Sequence, residues 1–235
     1  MLLHKVSRIE VDPFPHVIIE NALEDGFYQD LVKARPTPQQ IIGTRATQPN
    51  QRIDMPTGLA LQSVKPIWVE FCKAHTSRKF WNRVFELFGD EIRRLYPRSW
   101  NVSVGLRGEG RDAGLECQIG INTPTDSISK VRGPHLDNPK ELYAGLFYMA
   151  SDDDGGDLEL YRWKERRFHG KLEVPEDCVE RVKTVPYKAN TFVFFINSDL
   201  SLHGVTPRRS KNYRNLVNVI ADMREPLFKV GHGVY

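Results

Sequence analysis

The chain has 235 residues, of which 40% are hydrophobic and 27% charged, and its formal net charge is +3. This length and hydrophobic content suit one large folded domain, and so mild a charge does not indicate a nucleic-acid or membrane partner. No apolar run reaches transmembrane length, and Met1–Lys5 lacks the apolar stretch of a signal peptide. Three cysteines without a close pair argue against a disulfide framework and favour a cytoplasmic location.

The N-terminal part, residues 1–98, predicts a first strand followed by helices that support a β-rich core. A helix is expected over Ala22–Ala34, with Asn21 as its N-cap. Residues 37–58 are polar and rich in Pro, Gln and Arg, which indicates either a lid over an active site or an ordinary surface loop. From Val64 to Tyr96, aromatic and apolar residues recur at helical spacing, which predicts further helices.

The rest of the chain predicts short strands separated by turns. We expect residues 99–223 to form the core of this single domain and residues 224–235 to form a tail. Gly155 and Gly156 are expected in a hairpin turn that requires positive φ. Strands at this spacing indicate an antiparallel sandwich or barrel. The predicted strands are Cys117–Asn122, Glu141–Ala150, Asp157–Arg162, Arg181–Pro186, Thr191–Ile196 and Tyr213–Ile220.

Residues 133–139 contain a histidine and an aspartate that are separated by one residue. Residues i and i+2 of an extended strand point to the same face, so His135 and Asp137 can reach one ion together. With His203 as the third ligand, two histidines and one carboxylate leave three metal positions open, which suits an oxygen-activating iron(II) site. The pair alone is a weak signal, because a surface turn with a solvated histidine and aspartate also fits it.

Several ordered pieces of the C-terminal half resemble the iron(II)/2-oxoglutarate-dependent dioxygenases, in particular their prolyl-4-hydroxylase-like branch. The resemblance implies a mainly β fold with supporting helices. In this fold a double-stranded β-helix, which is a distorted and cupin-like jelly roll, is backed by N-terminal α-helices. It also implies that His135, Asp137 and His203 are the catalytic iron ligands. The matching pieces are His135-Leu-Asp-Asn-Pro139, Leu146-Phe-Tyr-Met149, Gly155-Gly-Asp-Leu-Glu-Leu160, Asn190-Thr-Phe-Val-Phe-Phe195, His203-Gly-Val-Thr-Pro207 and Arg214.

The same resemblance implies that Arg214 binds the far carboxylate of 2-oxoglutarate. A guanidinium suits this role because its planar fork meets a carboxylate with two charge-assisted hydrogen bonds. In relatives the equivalent cation often lies slightly closer to the histidine. Arg208, Arg209 and Lys211 therefore remain alternatives.

Two further side chains are candidates for contacts with the co-substrate. Tyr148 resembles a tyrosine that hydrogen-bonds the same carboxylate in family members, although a core aromatic whose hydroxyl is satisfied elsewhere fits equally. In the segment that ends at Asn122, polar and apolar residues alternate, so its polar face is expected to line the pocket. Asn122 is the stronger candidate on that face and Gln118 the weaker one.

The resemblance implies an enzyme that uses iron(II), 2-oxoglutarate as co-substrate and dioxygen, with ascorbate as an in vitro additive. Its substrate would be a small molecule or a peptide, and its by-products succinate and carbon dioxide. Halogenating relatives replace the carboxylate ligand with a small residue, so Asp137 favours hydroxylation. The alternatives are a non-catalytic binding module and a cupin-like metal protein that does not use 2-oxoglutarate. The sequence names neither the substrate nor an oligomeric state.

Overall fold

A computed structural model of the chain describes residues 1–98, 100–149, 155–165 and 172–230. Helices dominate the first part of the chain and strands the second, as predicted. In chain order the elements are β1 (His16–Ile19), α1 (Asp25–Lys33), α2 (Pro38–Ile42), β2 (Arg52–Met55), α3 (Thr57–Ser63), α4 (Pro66–His75), α5 (Arg78–Leu95), β3 (Val104–Leu106), β4 (Ala113–Asn122), β5 (Thr125–Ser129), β6 (Glu141–Tyr148), β7 (Leu158–Trp163), β8 (Val179–Val185), β9 (Thr191–Ile196), β10 (His203–Val205), β11 (Arg208–Ser210) and β12 (Arg214–Met223).

Two packed sheets form the core. The main sheet has the order β1-β9-β6-β12-β4-β2, with β3 added in parallel beside β4. The second sheet has the order β10-β7-β8, and a backbone bridge from His135 to His203 extends it beyond β10. Leu158 and Leu160 of β7 share a buried cluster with Phe195 of β9. We call the face of the main sheet that meets the second sheet its inner face. This arrangement confirms the predicted jelly roll.

The opposite face of the main sheet packs against the helices. Successive side chains of a strand point to opposite sides, so Phe192 and Phe194 of β9 lie together in the helix-side cluster. The ring of Phe194 lies 5.4 Å from that of Phe88 on α5. Gly145 on β6 leaves room for these rings, since a Cβ there would come within 2.7 Å of Phe192 and 2.9 Å of Phe194. The helices therefore cover the outside of the sheet and leave the inner face for the second sheet.

The predicted N-cap of the first helix is wrong. Asn21 has a φ of +48°, and α1 begins after Glu24, whose side chain makes no capping bond. The reason is tertiary: the backbone N–H of Leu23 donates to Asn190 Oδ1 at 2.9 Å, which ties the chain to the start of β9 before the helix begins. Asparagine tolerates the left-handed conformation that this path requires.

The polar segment 37–58 contains regular structure. It forms α2 and then β2, which pairs antiparallel with β4 as an edge strand of the main sheet. The helical region after it divides into α4 and α5, with Ser77 capping α5 through a bond from Phe80 N. Ala150 of the predicted strand Glu141–Ala150 and residues 231–235 of the predicted tail lie outside the described residues. In the described part of the chain, no helix combines the length and the apolar character that a membrane crossing needs.

Candidate metal centre and buried donors of the inner face

Two histidines and one aspartate bring ligand atoms within 4.8 Å of one another. His203 begins β10, and His135 pairs with it through two backbone hydrogen bonds, of 2.8 and 3.1 Å. The Asp137 oxygens lie 3.6 Å from His135 Nε2 and 3.4 Å from His203 Nε2. The three residues singled out by the sequence therefore converge, and within the described residues no other such group of His, Cys, Asp and Glu does.

Both imidazole rings are oriented by nearby backbone. Nδ1 of His135 lies 2.7 Å from Gly133 O, and Nδ1 of His203 lies 2.9 Å from Ser201 O. A carbonyl oxygen can only accept, so each Nδ1 carries a hydrogen, and each Nε2 faces Asp137 as the ring nitrogen that is left to bind a metal. Burial lowers the pKa of His203 to about 4, although Asp137 opposes the shift. The imidazole is therefore in the neutral form that binds metals.

The carboxylate of Asp137 is held in its ionised form. Burial alone raises its pKa, but His203, His135 and Arg132 outweigh burial and hold the pKa well below its ordinary value. Arg132 Nη1 lies 3.7 Å from Asp137 Oδ1, and its Nε donates to Glu173 at 3.0 Å. Two imidazoles and one carboxylate with open positions suit a divalent first-row metal, and iron(II) in particular. The donor set thus fits the expected cofactor.

A buried guanidinium with unused donors lies on the inner face. Arg214 is 3% exposed and begins β12 directly opposite Asn122 of β4. Its Nη1 donates to Asn122 Oδ1 at 3.3 Å, but its Nε and Nη2 have no hydrogen-bond partner among the described residues. Asn122 Nδ2 and the Tyr148 hydroxyl are also buried without a partner there. Buried polar groups without partners are rare and costly, so this set fits an acceptor with several oxygens, such as a carboxylate.

Aromatic rings and a glycine hold this guanidinium in place. Arg214 Cζ lies 5.1 Å from the ring centroid of Tyr148 and 4.5 Å from that of Tyr187. Burial raises the pKa of the Tyr148 phenol, and the Arg214 charge opposes that shift. Gly156 has the expected positive φ, +81°, but the expected hairpin is wrong, because the flanking strands β6 and β7 belong to different sheets. A Cβ at Gly156 would lie 3.1 Å from Arg214 Nε. Sequence reasoning saw only a turn residue at Gly156, because its closeness to Arg214 depends on the folded chain.

The alternative cations differ from Arg214 in burial or in hydrogen bonding. Arg208 is equally buried, but its Nε donates to Asn50 at 2.8 Å and its Nη2 to a backbone carbonyl just beyond β4 at 2.5 Å. Arg209 and Lys211 are exposed. Of the four candidates, Arg214 is therefore the one with buried, unengaged donors in the part of the chain that the structure describes.

No protein-family model and no curated protein matches the chain. Solved structures match its shape. A prolyl 4-hydroxylase from Phytophthora capsici is 18% identical with a TM-score of 0.55, over 89% of this chain and 59% of that one. A prolyl-4-hydroxylase from Pseudomonas putida is 14% identical with a TM-score of 0.50, over 89% and 92%. The α-ketoglutarate-dependent epimerase SnoN from nogalamycin biosynthesis is 12% identical with a TM-score of 0.51, over 88% and 76%.

At these identities the comparisons establish the fold. It is the fold of prolyl 4-hydroxylases and other 2-oxoglutarate–iron(II) oxygenases, so the expected resemblance is confirmed at that level. The chain spans only 59% of the Phytophthora enzyme, and a shared fold does not transfer a substrate. The function must therefore be argued from the site.

Proposed function

We propose that the chain is an iron(II)- and 2-oxoglutarate-dependent oxygenase that hydroxylates its substrate and releases succinate and carbon dioxide. The observation that carries the proposal is the combination of the metal triad with the unused donors of Arg214 inside one jelly roll. The triad alone would fit a cupin-like metal protein that does not use 2-oxoglutarate. A buried arginine alone would fit a non-catalytic carboxylate-binding module. The combination favours the oxygenase over both.

Each part of the site has a defined task in this proposal. His135, Asp137 and His203 would hold iron(II), which supplies, together with 2-oxoglutarate and dioxygen, the oxidising chemistry. Arg214, with Asn122 and Tyr148, would bind the far carboxylate of 2-oxoglutarate and so fix the orientation of the co-substrate. The aromatic rings around Arg214 exclude water, and a lower local dielectric strengthens the contact between guanidinium and carboxylate.

The metal assignment predicts that Asp137→Ala abolishes iron retention and succinate formation while leaving the fold intact. Removing the only anionic ligand leaves two neutral imidazoles, which hold a divalent ion far less well. Bound iron is measured after gel filtration, and succinate after incubation with iron(II), ascorbate and 2-oxoglutarate. Asp90→Ala is the control, because Asp90 is 98% exposed on α5.

Two outcomes would contradict this proposal. Iron retention in Asp137→Ala equal to that of Asp90→Ala would remove the aspartate from the ligand set. If the wild-type protein forms no succinate with any substrate pool, and 2-oxoglutarate does not tighten its metal binding, the proposed oxygenase activity is refuted. The non-catalytic module and the cupin-like metal protein would then remain.

A further inference from the structure

The edge strand β2 places an ion pair on the inner face of the main sheet. In the antiparallel pairing with β4, Arg52 lies opposite Asn122 and Asp54 lies opposite Gly120. The alternate residues of β2 belong to the helix-side core. Arg52 therefore shares a cross-strand row with Asn122 and, one strand further, with Arg214.

A glycine lets this ion pair lie across the sheet. A Cβ at Gly120 would come within 2.3 Å of Asp54 Oδ1 and within 2.9 Å of both Arg52 Nε and Arg52 Nη2. Arg52 Nε donates to Asp54 Oδ1 at 2.6 Å. The two side chains thus occupy the space over β4 that a larger residue would fill. Asp54 acts as a positioning residue that holds the guanidinium over the inner face.

Most of the hydrogen-bonding capacity of Arg52 is unused. Its Nε donates to Asp54, while its Nη1 and Nη2 make no hydrogen bond or ion pair in the described structure. The side chain is 25% exposed, whereas Arg214 is 3% exposed. The Arg214 guanidinium is therefore shielded from solvent, whereas that of Arg52 is partly exposed to it. Burial raises the pKa of the Tyr148 phenol, and the charges of Arg214 and, to a smaller extent, of Arg52 oppose that shift, so Arg52 lies near the proposed co-substrate site.

A polar floor adjoins the ion pair. Asn218 Nδ2 of β12 donates to Gln118 Oε1 of β4 at 3.2 Å, and both residues are half-buried. Inward positions in the middle of a packed sandwich are ordinarily apolar. Accessible amides at these positions indicate that the second sheet leaves this part of the inner face uncovered. The uncovered area is suited to a polar ligand.

We propose that Arg52 determines substrate specificity by binding an oxyanion, a carboxylate or a phosphate, of the molecule that is oxidised. A guanidinium with two free terminal nitrogens meets either group with paired hydrogen bonds. Gln118 and Asn218 then offer an amide N–H and a carbonyl oxygen to the neighbouring polar groups of the same molecule. The inference rests on the proposed oxygenase function and narrows its substrate to polar compounds that carry a carboxylate or a phosphate.

The test uses the full-length protein with iron(II), 2-oxoglutarate and four probe pools. The pools are free L-amino acids, the corresponding L-amino acid amides, sugar phosphates and the corresponding free sugars. The readout is succinate formed above the level without a pool. We expect stimulation by a pool that carries the oxyanion but not by the corresponding pool that lacks it, and the amino acid and sugar phosphate arms distinguish carboxylate from phosphate.

The variants assign the effect to Arg52. In Arg52→Gln the KM for the stimulating compound is expected to rise by about tenfold or more, with Arg52→Lys in between. Arg94→Gln is the control, because Arg94 lies 59% exposed on α5. The 2-oxoglutarate requirement and the unfolding midpoint of each variant are measured in parallel. An equal rise in the 2-oxoglutarate requirement would assign Arg52 to the co-substrate instead and overturn the proposal.

The remaining outcomes are also decisive. Stimulation by neither oxyanion-bearing pool, equal stimulation by the corresponding pool without the oxyanion, or an unchanged KM in Arg52→Gln would each overturn the role of Arg52. These outcomes can be distinguished from a failure of the proposed oxygenase activity. If the protein is not an oxygenase, no succinate forms and 2-oxoglutarate does not tighten metal binding.

Discussion

The two faces of the main sheet are built from the same strands and have different tasks. On β9, Phe194 packs against Phe88 of α5, with ring centroids 5.4 Å apart, while the next residue, Phe195, packs against His203 at 4.8 Å. On β4, Ile119 and its neighbours on that side join the helix-side core, whereas the other side carries the polar floor and Asn122. Because side chains alternate along a strand, one strand can hold the core together on one side and position chemistry on the other.

The faces also differ in the kind of polar group that they bury without a partner. The helix-side face is mostly apolar and its burial stabilises the fold, although the hydroxyls of Tyr28 and Tyr143 are buried there without a partner among the described residues. The inner face buries donors of Arg214, Asn122 and Tyr148 that have no partner among the described residues. Such groups reduce stability until a ligand satisfies them. The helix-side face therefore stabilises the fold, and the inner face keeps binding capacity at some expense in stability.

The largest expected effect comes from neighbouring residues on opposite faces. Phe194→Ala and Phe195→Ala each remove a ring that is 0% exposed, so each should lower the free energy of unfolding by about 3–5 kcal/mol. Urea denaturation measures this loss. Only Phe195→Ala should also weaken iron retention, because its ring supports His203. Equal iron loss in both variants, measured where both are folded, would show that the faces are not separate.

The two buried arginines allow a second comparison. Arg214→Met should raise the 2-oxoglutarate requirement by at least about thirtyfold, equivalent to about 2 kcal/mol, because it removes one partner of a buried charge pair. Its stability without ligands should be unchanged or higher, since unsatisfied donors are removed. Arg208→Met is the matched control and should lose stability, because the Arg208 guanidinium bonds Asn50. Both quantities come from urea denaturation and from succinate formation as a function of 2-oxoglutarate concentration.

The outcome for stability separates the two interpretations of Arg214. A loss of stability in Arg214→Met as large as that in Arg208→Met would mean that Arg214 is a structural residue. An unchanged 2-oxoglutarate requirement would return the alternative cations to consideration.

The sequence predicted those features that depend on short-range pattern. Strand β9 was predicted with its observed bounds, because Thr191–Ile196 is a continuous apolar run between polar turns. The convergence of His135 and Asp137 could be predicted because they are two positions apart, whereas His203 came from the family resemblance, and the role of the three as metal ligands stays a prediction. The cap at Asn21 was predicted wrongly, because a local signal was overridden by a bond from Leu23 to a residue that is distant in sequence.

Features that depend on long-range register could not be predicted in this way. Arg52 lies on the inner face because β2 pairs with β4, and no local pattern in the polar segment 37–58 predicts that pairing. The proximity of Gly156 to Arg214 arises from strands that are far apart in sequence. Single-sequence periodicity reports which residues share a face of one element, but not which elements meet.

The smallest expected effect tests the contact between Gly156 and Arg214. Gly155 and Gly156 have φ values of +64° and +81°, so alanine at either position should cost about 1–2 kcal/mol of stability. A Cβ at Gly155 would lie 3.5 Å from Arg208 Cβ, an ordinary contact, whereas one at Gly156 would lie 3.1 Å from Arg214 Nε. Only Gly156→Ala should therefore displace Arg214 and raise the 2-oxoglutarate requirement. An equal 2-oxoglutarate requirement in the two variants would mean that the position of Arg214 does not depend on Gly156. A larger 2-oxoglutarate requirement in Gly156→Ala alone would show that the absence of a side chain at Gly156 is needed for Arg214 to bind the co-substrate.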